Sequence, residues 1–455
     1  MLIYASYAMF LGAAALLFAT VSARTAICVT YFAGWVILPV GQFPAPVVHI
    51  GSPWSVIGSA LPSDMLVTKA WVVAATPMFW GTLFHFDDLR RWRPGWIDVP
   101  MACWCIWPLV DGLFAVSPTP SPLIATLYVC GCWGLPWLLG RIWFGAASDR
   151  FVLLEALAWV GVALVPLAVI EGVASPIVYQ ALYGHHPFRT DGIERYIGYR
   201  PLGFFEDGNQ YGIWVCVSAL AAIWLRFGAA RFGWRTGGGA VRSWAWVPVT
   251  AAAVAGQSVG ALLLLIVGLA ALAFRSRAFF RPLMLGSICA VALIGAVEIS
   301  GVVPLQHIAR ATAVGRHVLG GMRAVGRGSL LWRVSQDTKV LATIHKAPLQ
   351  GTAQWDWFRP YHTRPWGLAM LMIGQFGLIG VLLAFGSVLA PAVAVLARRA
   401  ADQEYITQFA AAPLAVIVVL AMSDAVLNSF VYMPAILVAG AIARVAKNEA
   451  VTPGA

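Results

Sequence analysis

The longest apolar block of the chain, residues 366–397, reads WGLAMLMIGQFGLIGVLLAFGSVLAPAVAVLA. It contains no Asp, Glu, Lys or Arg. An α-helix of about 20 such residues is long enough to cross the hydrocarbon core of a bilayer, which is ~30 Å thick. The block therefore predicts a membrane-spanning helix.

Similar apolar blocks occur along the whole chain. They fall near residues 2–22, 25–40, 66–84, 96–116, 121–145, 151–173, 209–229, 244–257, 258–274, 280–303, 405–422 and 426–446. The second block is short, and residues 244–274 suit a hairpin that turns at Gly256-Gln257-Ser258. We predict an all-α, polytopic transmembrane helix bundle of about twelve spans, or thirteen.

The composition excludes a soluble enzyme. Of the 455 residues, 60% are hydrophobic and only 11% are charged. A soluble domain has about 25% charged residues, and so few charges could not cover the surface of a water-soluble protein of this length.

The formal net charge of +11 follows a topological pattern. Arginines cluster in short segments between apolar blocks: Arg90, Arg91 and Arg93; Arg226, Arg231, Arg235 and Arg242; Arg275, Arg277 and Arg281; Arg398 and Arg399. Short basic loops mark the cytoplasmic side of a membrane, so we expect membrane lipids and no nucleic acid as the partners of these clusters. The chain is predicted to be a multi-pass protein of a bacterial inner membrane.

Alternation then divides the chain into five parts. Residues 1–173 form N-terminal spans, 174–208 a periplasmic loop, 209–303 central spans, 304–365 a large periplasmic loop, and 366–455 C-terminal spans with a cytoplasmic tail. The first and second loops together hold six of the eight histidines, and the second has nine basic and two acidic residues. We expect an anionic partner there: phospholipid head groups, a lipid-linked diphosphate or an acidic polysaccharide.

The first loop combines cations, carboxylates and aromatic rings within a few residues. Arg195 and Arg200 suit phosphate, because a guanidinium donates two parallel hydrogen bonds and stays charged. Tyr199 offers a surface for a sugar, and Glu206 and Asp207 could accept a proton. The alternative is an interfacial belt of aromatic residues with arginines that reach towards water.

The second loop is predicted to contain an amphipathic helix at residues 329–346, which lies along the membrane. Arg333 and Asp337 share one side of it, although a surface ion pair would explain them equally well. His362 is the first candidate for a general base, because imidazole exchanges protons near neutral pH. A loop histidine bonded to backbone is the alternative. Further candidates for glycan or diphosphate binding are Trp332, Trp357, Arg359 and Tyr361.

Several of these segments form an ordered series over roughly residues 150–440. The series consists of Arg200-Pro201-Leu202-Gly203-Phe204-Phe205 with Asn209, Gln257-Ser258-Val259-Gly260, Trp332-Arg333, Pro348-Leu349-Gln350-Gly351, His362-Thr363-Arg364 and Gln375-Phe376-Gly377-Leu378-Ile379-Gly380. It resembles the O-antigen ligase and O-antigen/exopolysaccharide polymerase superfamily of bacterial membrane proteins. Val259 stands where that family has an arginine, and Thr363 where it has an asparagine.

The resemblance implies a GT-C-like membrane glycosyltransferase that needs no metal or other cofactor. It would move a glycan from undecaprenyl diphosphate to an acceptor sugar hydroxyl at the periplasmic face. Arg195, Arg200 and Arg333 would hold the diphosphate. His362 would take the hydroxyl proton, with Glu206 or Asp207 as alternative bases. A flippase and a chain-length regulator are the expected protein partners.

Other functions remain open from the sequence. Glu171 and the Tyr183-Gly184 pair favour the polymerase branch over O-antigen ligase. A transporter or flippase for lipid-linked glycans would need ionisable residues along a route through the membrane. The available charges, Glu155, Glu171, Glu298, Lys69 and Asp424, lie near predicted span ends. A scaffold in a secretion complex would depend on no single loop residue.

Overall fold

In the computed structural model of the chain, the described residues are 2–40, 67–116, 118, 121–184, 186, 194, 197–232, 244–274, 280–301, 311–324, 329–363, 365, 367–397, 410–428 and 430–446. Arg195, a predicted diphosphate ligand, lies outside them. The protein is all-α, as predicted. Within the described ranges it has no β-strand, only an isolated bridge between Glu194 and Tyr199.

The helices follow the apolar blocks closely. They are α1 Leu2–Thr20, α2 Ala23–Ile37, α3 Lys69–Phe84, α4 Val99–Phe114, α5 Pro122–Trp143, α6 Ala147–Ala174, α7 Ile177–Tyr183, α8 Gly208–Phe232, α9 Trp246–Ala255, α10 Val259–Ala273, α11 Phe280–Ser300, α12 Ala313–Ala324, α13 Ser329–Ile344, α14 Leu368–Leu396, α15 Ala411–Leu427 and α16 Pro434–Ala446. A short helix, Phe86–Arg91, follows α3. The chain turns at Gly256-Gln257-Ser258 between α9 and α10.

Helix length and composition are those of a multi-pass membrane protein. Seven helices of the described part are long and apolar enough to cross a bilayer, and five shorter ones are also apolar. An α-helix satisfies its own backbone hydrogen bonds, which a chain within hydrocarbon requires. The predicted multi-pass helical membrane protein is thereby confirmed.

The helices α15 and α16 form the centre of the bundle. Nearly all of their described side chains are buried, which explains why both helices are apolar on every side. At the contact of α16 with α5, a Cβ at Gly140 would overlap the Leu437 carbonyl oxygen, and one at Gly440 would overlap the Trp137 carbonyl oxygen. These two glycines allow the helix backbones to touch.

Opposite ends of the bundle carry different contacts. At the predicted cytoplasmic end, Arg141 in the last turn of α5 forms a bidentate ion pair with Asp98, at 2.7 and 3.0 Å. At the other end, the Tyr179 hydroxyl of the first loop donates to the Val40 carbonyl oxygen at 3.0 Å. The second loop joins α11 to α14, and α13 lies within it.

Candidate functional site

Glu171, near the C-terminal end of α6, fixes the course of the first loop. Its side chain is completely buried. One carboxyl oxygen accepts hydrogen bonds from the backbone N–H groups of Leu202 and Gly203, both at 2.8 Å, and the other from that of Val178 at 3.3 Å. Buried polar groups must be satisfied in this way, so this carboxyl group holds both sides of the loop against α6.

The loop then forms a compact turn of residues 199–210, named here the Arg200 turn. The Arg200 guanidinium is largely buried and donates to the Asn209 side-chain oxygen at 2.8 Å. It packs so closely on Gly208 that a Cβ there would overlap it. Arg200 therefore lies at the N-terminal end of α8, where the helix dipole adds further positive potential.

The two carboxylates of this turn have different surroundings. Asp207 caps α8: its Oδ1 accepts from the N–H groups of Asn209 at 2.7 Å and Gln210 at 2.8 Å. Glu206 is half-buried, and its backbone N–H donates to the Gln210 side-chain oxygen at 2.8 Å. Asp207 thus has a structural role in starting the helix.

A lysine that the sequence analysis did not select lies beside the Arg200 turn. Lys69, the first residue of α3, is 4% exposed, and its Nζ donates to the Phe204 carbonyl oxygen at 2.7 Å. Nζ also lies 5.6 Å from the ring centroids of both Trp35 and Phe205, within cation–π range. Glu206 acts on Lys69 electrostatically. In the sequence, this residue can be recognised as a single lysine at the start of an apolar block.

The Gln257 element reaches the same loop from the turn between α9 and α10. The Gln257 amide donates to the Ile197 carbonyl oxygen at 2.8 Å and accepts from the Ile197 N–H at 3.4 Å. Ser258 packs against Gly212 of α8, where a Cβ would overlap its side chain. The Gln257 element of the resemblance therefore contacts the loop that contains the Arg200 element, although the two are distant in sequence.

The helix α14 is broken at Gly377. This residue has φ 67° and ψ −178°, which is not helical. The predicted membrane-spanning helix over residues 366–397 is observed as α14, and the sequence analysis did not locate this break. Glycine has no Cβ and can therefore adopt this conformation. The apolar composition of the block gives no sign of the break.

Residues 348–353, named here the re-entrant loop, fill the break. The N–H groups of Leu378 and Ile379 donate to the carbonyl oxygens of Pro348 and Leu349, at 2.8 and 3.1 Å. In return, the N–H groups of Thr352 and Ala353 donate to the carbonyl oxygens of Gly374 and Gln375, at 2.9 and 2.8 Å. These four bonds replace the helical bonds that the break removes, so the interrupted backbone stays satisfied.

Two glycines make this contact possible. A Cβ at Gly351, where φ is +76°, would lie 2.5 Å from both the Gln375 oxygen and the Gly377 nitrogen. A Cβ at Gly377 would overlap the Leu349 carbonyl oxygen. The Pro348–Gly351 and Gln375–Gly380 elements are thus two halves of one backbone contact.

Beyond the re-entrant loop, three predicted site residues also contact other side chains or backbone. Trp357 is buried, and its indole N–H donates to the Leu371 carbonyl oxygen at 3.1 Å. Arg359 pairs with Asp356 at 3.2 Å and lies 5.0 Å from the centroid of the Trp355 ring. The Tyr361 hydroxyl bonds to the Thr343 hydroxyl of α13. These contacts hold the segment against α13 and α14.

His362 is exposed and has a left-handed backbone, with φ 46°. The next residue, Thr363, donates to the Gln336 side-chain oxygen at 2.6 Å, and Lys339 donates to the same oxygen at 3.0 Å. Through this bond to Thr363, Gln336 holds α13 close to His362. The predicted helix at 329–346 is observed as α13, and Trp332 and Arg333 lie in its first half, of which only the helical backbone is described.

The predicted site residues thus fall into two groups. Tyr199, Arg200, Glu206 and Asp207 belong to the Arg200 turn, and Trp332, Arg333, Trp357, Arg359, Tyr361 and His362 to α13 and the end of the second loop. Over the described residues, no three His, Cys, Asp or Glu side chains are arranged to hold a metal ion. Fold and site define a multi-pass helical membrane protein whose candidate site residues lie in two loops between its helices. No protein-family model matches the chain, and no curated protein matches it.

Proposed function

We propose that this protein is a polysaccharide polymerase of the exopolysaccharide or O-antigen type. It would be a GT-C-like bundle of about twelve spans in a bacterial inner membrane. It transfers a glycan from undecaprenyl diphosphate to an acceptor sugar hydroxyl at the periplasmic face. The observation that carries the proposal is pairing: the Gln257 element contacts the loop that contains the Arg200 element, and the Pro348 and Gln375 elements form one backbone contact.

The chemistry requires a cationic place for the leaving diphosphate. The Arg200 guanidinium at the start of α8 supports this role, because a fixed cation and a helix N-terminus both stabilise developing negative charge. The guanidinium is already held by Asn209, so little reorganisation is needed when the donor binds. Arg195, Arg333 and Arg359 are proposed as further diphosphate ligands, and Tyr199, Trp332, Trp357 and Tyr361 as glycan contacts.

A base must take the proton of the acceptor hydroxyl. The candidates are His362, which is exposed beside α13, and the carboxylates of Glu206 and Asp207. Asp207 is the weakest of the three, because its Oδ1 already caps α8.

A lipid-linked glycan flippase is the alternative that a specific observation favours. Lys69, Glu171 and Asp424 are all buried inside the bundle, and buried ionisable residues often line transport routes. O-antigen ligase, with the same donor chemistry and a different acceptor, is the second alternative.

Deletion of the protein in its host separates these functions. We expect single repeat units to accumulate on the lipid carrier at the periplasmic face, and the wild-type gene to restore long polymer. Arg200→Ala should not restore it, whereas Arg93→Ala, at an exposed arginine between α3 and α4, should. Accumulation at the cytoplasmic face would favour the flippase, and persistence of long polymer would contradict the polymerase.

A further inference from the structure

A groove on the outside of the bundle runs between α2 and α6. Its volume is about 390 Å³. Apolar side chains form most of both walls, among them Cys28, Phe32 and Val36 of α2 and Val152, Ala156 and Val160 of α6. The hydroxyl of Thr25 and the carboxyl group of Glu155 lie in the half of the groove nearer the starts of both helices. The groove therefore suits an apolar chain along most of its length.

The groove is long enough for an extended lipid chain and open at the side. Its lining extends from Thr25 to Ile37 along α2, which corresponds to roughly 18 Å of helix. Ile37 and Trp159 of α6 are 50% and 49% exposed, so the groove opens to the surroundings of the bundle. Around a membrane-spanning bundle those surroundings are hydrocarbon, from which a lipid chain can enter.

The α6 wall of the groove leads to the Arg200 turn. Leu167 follows the lining residue Ala163 by one helical turn. It packs on Gly203 of the Arg200 turn, where a Cβ would overlap the leucine side chain. One turn further along α6, the Glu171 carboxyl group accepts from the Gly203 N–H at 2.8 Å. The upper end of this wall is thus in direct contact with the turn.

The α2 wall reaches the same place through the first loop. The carbonyl oxygen of Ile37, the last lining residue of α2, accepts a hydrogen bond from the Tyr183 hydroxyl at 3.3 Å. The Tyr183 ring in turn lies 6.1 Å from the ring of Phe204, measured between centroids. Both walls therefore end beside the turn that carries the Arg200 guanidinium.

The opposite end of the groove is closed by an ion pair. Arg24, at the start of α2, bonds to Asp149 in the first turn of α6 at 2.9 Å, and it also donates to the Trp143 carbonyl oxygen at 3.1 Å. The pair joins the two helices just beyond Thr25. One end of the groove is thus shut and the other leads to a cation. This polarity fits an amphiphile with one anionic head group and a long apolar tail.

We propose that the groove between α2 and α6 binds the polyprenyl tail of the lipid-diphosphate donor, whose diphosphate lies at the Arg200 turn. This inference rests on the proposed function. Bilayer lipid is as apolar as the groove, so the tail gains packing contacts on binding rather than hydrophobic free energy. The groove acts by orientation: a tail held along α2 and α6 places the diphosphate at the turn before transfer.

A second apolar groove, between α1 and α3, provides an internal control. Its volume is about 420 Å³, and Ala75 of α3 is one of its lining residues. Its lining side chains contact other parts of the molecule: the Tyr7 hydroxyl bonds to the Pro39 carbonyl oxygen at 3.5 Å, and Trp71 packs on Gly131 of α5. Lipid that fills any apolar groove should occupy both, whereas the donor tail should occupy the one between α2 and α6.

The first test is crosslinking, which requires no turnover. The full-length protein in nanodiscs of phosphatidylethanolamine and phosphatidylglycerol is given undecaprenyl diphosphate whose tail carries a photoreactive diazirine. We expect the crosslinked peptides to come from α2 and α6, and unlabelled undecaprenyl diphosphate to prevent the crosslinks. Crosslinks that added phosphatidylglycerol prevents equally well, or that fall mainly on α1 and α3, would overturn the proposal and make the groove a site for bulk lipid.

The second test compares two half-buried alanines, one in each groove. With a lipid-diphosphate-linked repeat unit as donor, Ala33→Trp should raise KM about tenfold and leave kcat within about twofold, because it removes tail contacts and no group at the reacting atoms. Ala75→Trp should keep the wild-type KM. With a donor that has only a geranyl tail, wild type and Ala33→Trp should have the same KM, since this tail is too short to extend along the groove.

An unchanged KM in Ala33→Trp, an equal rise in both variants, or a rise that persists with the geranyl donor would overturn the proposal. If Ala33→Trp does not fold, crosslinking of the wild type decides. A wild-type protein that is crosslinked on α2 and α6 but makes no polymer would refute the proposed function and leave the groove as a site for the lipid carrier. Polymer without those crosslinks would refute the groove alone.

Discussion

The Arg200 turn and the re-entrant loop are both fixed firmly, but by different means. Side chains hold the Arg200 turn: Glu171 binds its backbone N–H groups and Lys69 binds a carbonyl oxygen. The re-entrant loop is held mainly by backbone, through four hydrogen bonds across the break at Gly377, with one more from the Thr352 hydroxyl to the Gly374 carbonyl oxygen. The first region should therefore depend on charge and polarity, and the second on the absence of a side chain at two glycines.

The largest expected effect is that of Gly377→Ala. The added methyl group would overlap the Leu349 carbonyl oxygen at a residue whose φ is +67°. Strain and lost backbone bonds together should cost about 3 kcal/mol, enough to lower the yield of folded protein markedly. Thermal unfolding in detergent, monitored by size-exclusion chromatography, measures this.

Gly386→Ala is the matched control on the same helix, since no atom lies within 4 Å of the Cβ it would add. It should leave the unfolding temperature unchanged or slightly higher. Equal stability of the two variants would contradict the backbone contact across the break.

A smaller effect is expected for Glu171→Gln. The amide can supply only one accepting oxygen where the carboxyl group supplies two, so at least one buried backbone N–H loses its partner. We expect a loss of about 2 kcal/mol and faster hydrogen exchange at residues 200–206, with α14 unaffected. Glu155→Gln, on the same helix, should change neither quantity. Unchanged exchange in Glu171→Gln would show that the carboxyl group does not anchor the turn.

The smallest effect is expected for Gln257→Ala. It removes the two hydrogen bonds to the Ile197 backbone at a half-buried position. The cost should be about 1 kcal/mol or less, seen as faster proteolysis of the first loop with little change in global unfolding. Gln180→Ala, at an exposed residue of α7, should be cut at the wild-type rate. Equal rates for both variants would mean that Gln257 does not restrain the loop.

The sequence was sufficient to predict the class of fold, but it did not predict which distant segments contact each other. Apolar blocks predicted the helices because burial in hydrocarbon requires a continuous apolar stretch. The break at Gly377 was missed because its cause, the backbone of residues 348–353, is distant in sequence. Both halves of that contact were nevertheless selected as separate elements by the resemblance. Their pairing needed three-dimensional structure.

The candidate site shows the same limit. Arg200, Glu206 and Asp207 were selected by residue type, but the helix-capping role of Asp207 depends on where α8 begins. Lys69 was noted only as a charge near a span end, because its neighbours Trp35 and Phe205 come from two other segments. Side chains that act on distant backbone leave no periodic signal in the sequence.

The most direct test of the central proposal is reconstitution. Purified protein in nanodiscs is given lipid-diphosphate-linked repeat units without added metal, and the products are sized by gel. The account predicts a ladder of polymer with wild type and with Arg93→Ala, and none with Arg200→Ala. A wild-type protein that binds the lipid carrier and leaves it unreacted would contradict the account.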